Sequence, residues 1–280
     1  MMTIKKSILI LLCTGFTTVL SAFVVAQVLH PLEQETGLKR FDKNVSLQGA
    51  QHSQSQQDIK GVHIGDNVLA QAINLYDQGA KLHHIAGSSR SDKVRLSFYQ
   101  PYQNSRLEQL LELHFNKFSG FITRIDSTYK IESAYLPIGP VLENVLQSAL
   151  KKYGEPLHLS QISQIAKHPE SPVPLRTFIR NLQPNPEVAK LVTEYFNDLN
   201  ISRSARFTKD ESERAILYTG FNRCYFWQQD DFTEIVSLCS FAPNAANAEN
   251  RGVELSLINF AVGQNVADKE KLKSELSLTL

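Results

Sequence analysis

Two cysteines, Cys224 and Cys239, stand inside two runs that both read as strands, Arg223 to Gln228 and Glu234 to Phe241. Asp230-Asp231-Phe232-Thr233 between them reads as a turn. A turn centred on Asp231 and Phe232 sets Tyr225 opposite Leu238, Trp227 opposite Val236, and Cys224 opposite Cys239. Directly opposed residues of an antiparallel pair lie within reach of a disulfide. The sequence therefore predicts a stapled hairpin, which fixes the face of every residue on both strands. The competing reading is a pair of buried thiols packed as small hydrophobes.

A disulfide implies an oxidising compartment, and the start of the chain agrees. Lys5-Lys6 precede an uncharged stretch from Ser7 that is rich in Ile, Leu, Val and Phe. That charge order is the one that passes a chain across a membrane. Residues 1–26 are read as a signal peptide cleaved after Ala26, with cleavage after Ala22 as a second option. The stretch is also long enough for an uncleaved anchor. Either way the body is expected in the periplasm or secreted, touching a membrane only through that segment if it is retained. Cys13 lacks the small residues that a lipoprotein signal places before its cysteine.

Removing residues 1–26 takes away Lys5 and Lys6 and turns the formal net charge from +1 to −1. A near-neutral surface does not favour nucleic acid or an anionic bilayer, both of which select dense positive charge.

Residues 27–60 are polar, with Phe41 their one aromatic residue, and read as a flexible segment. A first unit spans 61–136. Val68, Ala72, Leu75 and Tyr76 form a helical stripe, capped at Asp66 or Asn67 and ended by Gly79. The period then falls to two at Val94-Leu96-Phe98, at Leu111-Leu113-Phe115 and across Phe121, Ile125 and Tyr129. A second unit, 137–280, repeats the order. Pro140 opens a helix that Gly154-Glu155-Pro156 closes, and strands recur at Ala215 to Thr219, in the cysteine hairpin and from Val253 to Ala261. Ile64-Gly65 and Ile138-Gly139 lead the two helices in as a weak internal repeat. A Pro-rich insertion, 157–209, carries a helix from Pro186 to Leu199. The last stretch, Asp268 to Leu280, is a short charged helix or a frayed tail. The fold class expected is α+β: two related helix-plus-antiparallel-sheet units, the second with a helical insertion.

No catalytic constellation emerges. His83-His84 read as solvated loop residues, His114 points away from the face of Leu113 and Phe115, and Glu132, Glu143, Glu155 and Asp230-Asp231 are scattered. Gly87-Ser88-Ser89-Arg90-Ser91 lacks the flanking glycines of a nucleophile turn, and the glycines form no phosphate-cradling loop. No metal site and no cofactor are expected. Aromatic residues are frequent in the strand regions, among them Phe98, Tyr99, Tyr102, Phe115, Phe118, Phe121 and Tyr129, then Phe221, Tyr225, Phe226 and Trp227. The open sheet faces near Tyr99, Tyr129 and Trp227 are the expected partner surface.

The Ile64-Gly65-Asp66-Asn67-Val68 helix start, the Leu111-Glu112-Leu113-His114-Phe115 strand and the Gly120-Phe121-Ile122-Thr123-Arg124-Ile125 strand together resemble the SmpA/OmlA-like envelope modules. These are also the tandem units of beta-lactamase inhibitor proteins. The resemblance covers 61–130, with a fainter echo at 137–156 and 215–261. The first helix lacks the family's Gly-x-Pro ending, which Gly154-Glu155-Pro156 supplies in the second. It implies a protein-binding or assembly role in the envelope without enzymatic activity. The alternative is a periplasmic hydrolase with its site between the two units.

Overall fold

Among the described residues ten strands pair in one antiparallel sheet, and the sequence explains their order. The computed structural model describes residues 57–87, 93–100, 107–116, 119–131, 137–181, 192–197, 201–202, 204–219, 222–229, 234–241 and 251–259, with His30, Leu32 and Leu38. The chain divides into units 1–39 and 40–280. In the first, Leu32 and Leu38 are buried and the Leu32 N–H donates to His30 Nδ1 at 3.3 Å. The signal segment, Tyr102, Phe118, Phe221, the turn 230–233 and the C-terminal stretch lie outside the described residues. Among the described residues no helix is long and apolar enough to cross a membrane.

In the second unit a two-residue pair, β1 (Asp58–Ile59) and β2 (Val62–His63), precedes α1 (Val68–Asp77). Asn67 caps α1, its side chain accepting from the Leu69 and Ala70 N–H groups, and Val68, Leu69, Ala72 and Leu75 form the buried stripe. Four strands follow: β3 (Lys81–Gly87), β4 (Lys93–Gln100), β5 (Leu107–Asn116) and β6 (Ile122–Ile131). α2 (Ile138–Tyr153) ends at Gly154, whose φ of 79° and ψ of −157° only glycine adopts without strain. Next come α3 (Leu159–Ala166), β7 (Val173–Pro174), α4 (Leu175–Asn181) and a helical turn at 192–197. The chain closes with β8 (Arg206–Lys209), β9 (Ala215–Thr219), β10 (Asn222–Gln229), β11 (Glu234–Phe241) and β12 (Gly252–Asn259).

The sheet order is β3-β4-β5-β6-β12-β11-β10-β9-β8-β7. Each half is a meander of neighbours in sequence, and the halves join where β6 pairs with β12. The fold class is thus α+β, with helices on one large antiparallel sheet and strand predominating. Register divides the sheet into two faces. Leu96, Leu113, Ile125, Leu257, Val236 and Trp227 follow one another across β4, β5, β6, β12, β11 and β10, and all are buried. α2 lies on this first face, its Tyr153 ring 6.1 Å from that of Trp227. Lys152 and Tyr153 also tie β1 down: Lys152 Nζ is 2.6 Å from Asp58 Oδ1, and the Tyr153 hydroxyl donates to the Asp58 carbonyl at 2.7 Å.

On the second face the half from β7 to β11 is covered by the insertion. Phe178 meets Phe207 at 5.0 Å between ring centres and Phe196 meets Phe226 at 5.5 Å, around Ile162, Val173, Leu217, Ile235 and the cysteine pair. Burial of these apolar side chains, each worth about 1.5 to 3 kcal/mol, gives the insertion a core of its own.

Two readings of the sequence need amendment. Ile64-Gly65 precedes α1, whereas Ile138-Gly139 forms the first turn of α2 itself, so the two pairs are not equivalent lead-ins. His83 and His84 lie in a strand, not a loop. The insertion carries α3 and α4 ahead of the 192–197 turn, and both ends of the helix read from Pro186 to Leu199 lie outside the described residues.

Candidate functional site

The half of the second face that runs from β4 to β6 and on to β12 is polar. Successive residues along one strand face alternate directions, so Arg124, Asp126 and Thr128 of β6 point opposite to Ile125, Ser127 and Tyr129. Register then places Ser97, Glu112, Asp126, Ser256 and Ser237 in one row across five strands. Arg95, His114 and Arg124 form the row beside it, and Thr128 faces Glu254 on the other flank.

These side chains form one ionic ladder. Asp126 Oδ2 meets His114 Nε2 at 2.7 Å, and Asp126 Oδ1 accepts from Arg124 Nε at 2.8 Å. Arg124 Nη2 reaches Glu254 Oε1 at 3.6 Å, and Glu254 also accepts from Thr128 Oγ1 at 3.3 Å and Ser256 Oγ at 3.1 Å. Glu112 accepts from Ser97 Oγ at 3.0 Å and lies 3.3 Å from Arg95 Nε. Tyr195, from the insertion, borders the ladder: its ring centre is 5.5 Å from the Arg124 guanidinium carbon, and its hydroxyl bonds Ser237 Oγ.

The environments of the two central carboxyls pull apart. Burial opposes the charge of Asp126, but Arg124 and His114 outweigh it and hold the group well below the usual carboxylate range. Glu254 is pushed up to about 7, first by burial and then by the negative charge of Asp126, which Arg124 only partly offsets. Burial also works against Arg124, yet Asp126 beside it keeps the guanidinium more firmly protonated than usual. A carboxyl that changes charge near neutrality thus lies beside one that stays ionised, the division between a proton donor and a fixed negative charge.

Glu112, His114 and Asp126 offer donor atoms that all lie within 4.8 Å of one another, a set of the type that holds a divalent cation. Arg124 already occupies one oxygen of Asp126 and repels a cation there, so the ladder is better balanced as an ion-pair network than as a metal centre.

The residues named from the sequence fall in different places. Tyr99 lies on the second face, beside β3, with its ring 4.3 Å from that of His83. Tyr129 and Trp227 lie on the first face, and Trp227 is buried under the end of α2, its Nε1 donating to the Gly154 carbonyl at 2.8 Å. Register parity therefore separates Tyr99 from the other two. Cys224 pairs with Cys239 in register, with Cα atoms 4.1 Å apart and the sulfurs at bonding distance, and Tyr225–Leu238 and Trp227–Val236 follow as expected. His114 does turn away from Leu113 and Phe115. The ladder itself was passed over. Its trace in the sequence is polar residues at two-residue spacing on three strands: Glu112 and His114, Arg124, Asp126 and Thr128, and Glu254 and Ser256. No family model matches the chain, nor does any curated protein or solved structure.

Proposed function

We propose that this chain is an exported binding protein of the cell envelope, and that its partner adds an acidic, extended segment to the outer side of β3. The carrying observation is the position of β3: among the described residues it has one neighbouring strand, β4, and it ends the ten-stranded sheet with Lys81, His83 and His84 exposed. Such an edge presents main-chain donors and acceptors to a strand from another chain. Tyr99 stands beside it on the second face with Arg95, whose guanidinium is paired with Glu112, and the exposed Lys81 ammonium favours acidic side chains. The other sheet edge is a two-residue strand and offers little to pair with.

Export is supported by Lys5-Lys6 ahead of the apolar stretch and by the opposed cysteines. The two halves are proposed to be related units, each a helix followed by an antiparallel meander, joined through their last strands. The SmpA/OmlA-like resemblance supports both the repeat and the binding role, and no catalysis is proposed for the β3 edge. A photo-crosslinking phenylalanine analogue placed at His83 tests the reading in intact cells. The expected outcome is one discrete envelope adduct that disappears with Arg95→Glu and Tyr99→Ser. Equal labelling from position 147, on the exposed flank of α2, ends it.

One observation favours a second reading, a hydrolase acting at the seam between the halves. Asp126 and Glu254 are diagonal neighbours across β6 and β12, on one face of the sheet, with their proton affinities driven apart. Hydrolysis of a chromogenic ester or glycoside panel that Glu254→Gln abolishes would establish it.

A further inference from the structure

We propose that His83 and His84 of β3 together bind one divalent transition-metal ion, Cu²⁺ most tightly. Successive residues of a strand point to opposite faces, so two adjacent histidines are ordinarily unable to share an ion. The bulge between Leu82 and His84 removes that obstacle. His84 pairs with Ser97, whose hydroxyl donates to Glu112 on the second face, and so takes that face itself. His83 is the extra residue of the bulge, and its ring lies against that of Tyr99 on the same face, with 4.3 Å between ring centres. The two imidazoles, both exposed, come to 6.3 Å between ring centres.

That separation suits a shared ion. With metal–nitrogen bonds of about 2.1 Å, an ion between two imidazoles holds their ring centres no more than roughly 6.5 Å apart. A smaller angle at the ion needs only a change of rotamer in an exposed side chain. One ligand is positioned already. The Tyr99 hydroxyl lies 3.5 Å from His83 Nε2, which leaves Nδ1 of that ring for the ion and supplies the outer hydrogen bond that orients histidines at metal centres. The donor set selects the ion. Among the described residues no carboxylate or third histidine joins the pair, since the one cluster of three such groups is Glu112, His114 and Asp126. Two imidazoles with water completing the shell suit Cu²⁺, Ni²⁺ and Zn²⁺, Cu²⁺ being held most tightly, whereas Mg²⁺ and Ca²⁺ require oxygen ligands. Lys81, opposite Tyr99 on the same face, is a like charge that lowers the affinity, but its exposed, flexible stem lets the ammonium move off. The site needs no partner chain and does not rest on the role given to the β3 edge.

Titrating the full chain with Cu²⁺ at neutral pH in a non-coordinating buffer, followed by electron paramagnetic resonance, tests the site. The expected result is one tightly held Cu²⁺ whose spin-echo modulation shows two imidazoles, with Ni²⁺ and Zn²⁺ competing for it and Mg²⁺ without effect. His83→Asn and His84→Asn should each weaken that ion at least tenfold and reduce the signature to one imidazole, because the second ligand acts at the high local concentration set by the first. Both positions are exposed, so the circular dichroism should not change. His168→Asn, in the segment after α3, should alter neither affinity nor spectrum. Two ions of equal affinity in the parent, of which each β3 variant loses one, would show that the imidazoles act separately and would overturn the proposal. So would an unchanged affinity and spectrum when both histidines are replaced, which would place the ion on other groups of the chain.

Discussion

Asp126 and Glu254 reach the same guanidinium, that of Arg124, from adjacent strands, at 2.8 Å and 3.6 Å. The two carboxyls thus compete for one positive charge, and the closer one takes most of it. Asp126 stays ionised, and its charge adds to burial in making Glu254 hold its proton to about pH 7.

That competition gives stability a defined pH dependence. The native state binds the Glu254 proton more tightly than an unfolded chain, where the group releases it near 4.5. Its contribution is therefore complete below about pH 4.5 and is lost as pH rises through about 7. Glu254→Gln fixes the group in its neutral form. The variant is expected to match the parent near pH 4 and to exceed it by roughly 3 to 4 kcal/mol at pH 8, at about 1.4 kcal/mol per pH unit. Urea unfolding at both pH values checks this, and parallel curves at pH 8 would contradict it.

Asp126→Asn tests the ladder from the other side. Asp126 is 2% exposed and engages His114 and Arg124, so loss of its charge deprives a buried guanidinium of its nearest carboxylate. Breaking a buried pair by removing one partner costs about 3 to 5 kcal/mol. A second readout separates this from general loosening. With the Asp126 charge gone, the Glu254 carboxyl should titrate closer to its ordinary value, which carbon-detected NMR of that side chain resolves.

The hairpin and the ladder differ in how far the sequence reveals them. Cys224 and Cys239 flank one turn, so period-two alternation and a turn centre are enough to set their register. α1 was legible because Asn67 and Gly79 mark its ends. Strand β3 was not, since a bulge between Leu82 and His84 breaks the alternation on which strand reading depends. The ladder was hidden for a different reason. Thr128 and Glu254 are 126 residues apart, and only the pairing of β6 with β12 brings them to one face. Read singly, Arg124, Asp126 and Glu254 look like solvent-facing positions of amphipathic strands. Trp227 carries the reverse lesson: its type suggests a partner-facing aromatic, but register turns it inward, against Tyr153.

The cysteine pair yields a direct count. Purified, unreduced protein should show no free thiol at Cys224 or Cys239 after denaturation, and two reactive thiols would refute the bridge. Closing a loop of this size removes unfolded-state entropy worth roughly 3 kcal/mol, so the double replacement by serine should lower stability by about that amount.

Gly252 is where the seam between the halves is least forgiving. It opens β12 opposite Lys130 of β6 and Phe241 of β11, so its backbone passes between both neighbours. A Cβ built there would lie 2.3 Å from the Tyr129 carbonyl oxygen and 2.7 Å from Phe241 Cζ. The phenyl ring can turn aside, but the carbonyl belongs to the strand that joins the halves and cannot move without shifting the register of β6. Gly252→Ala is therefore expected to destabilise by about 1 to 3 kcal/mol, the usual cost of overpacking. The damage should be concentrated at the seam. Hydrogen exchange should rise in β6 and β12, which share the Gly252–Lys130 end, while β4 and β9 keep their protection. Uniform loss of protection across the sheet would mean that the contact at Gly252 is not a local constraint on the β6–β12 joint.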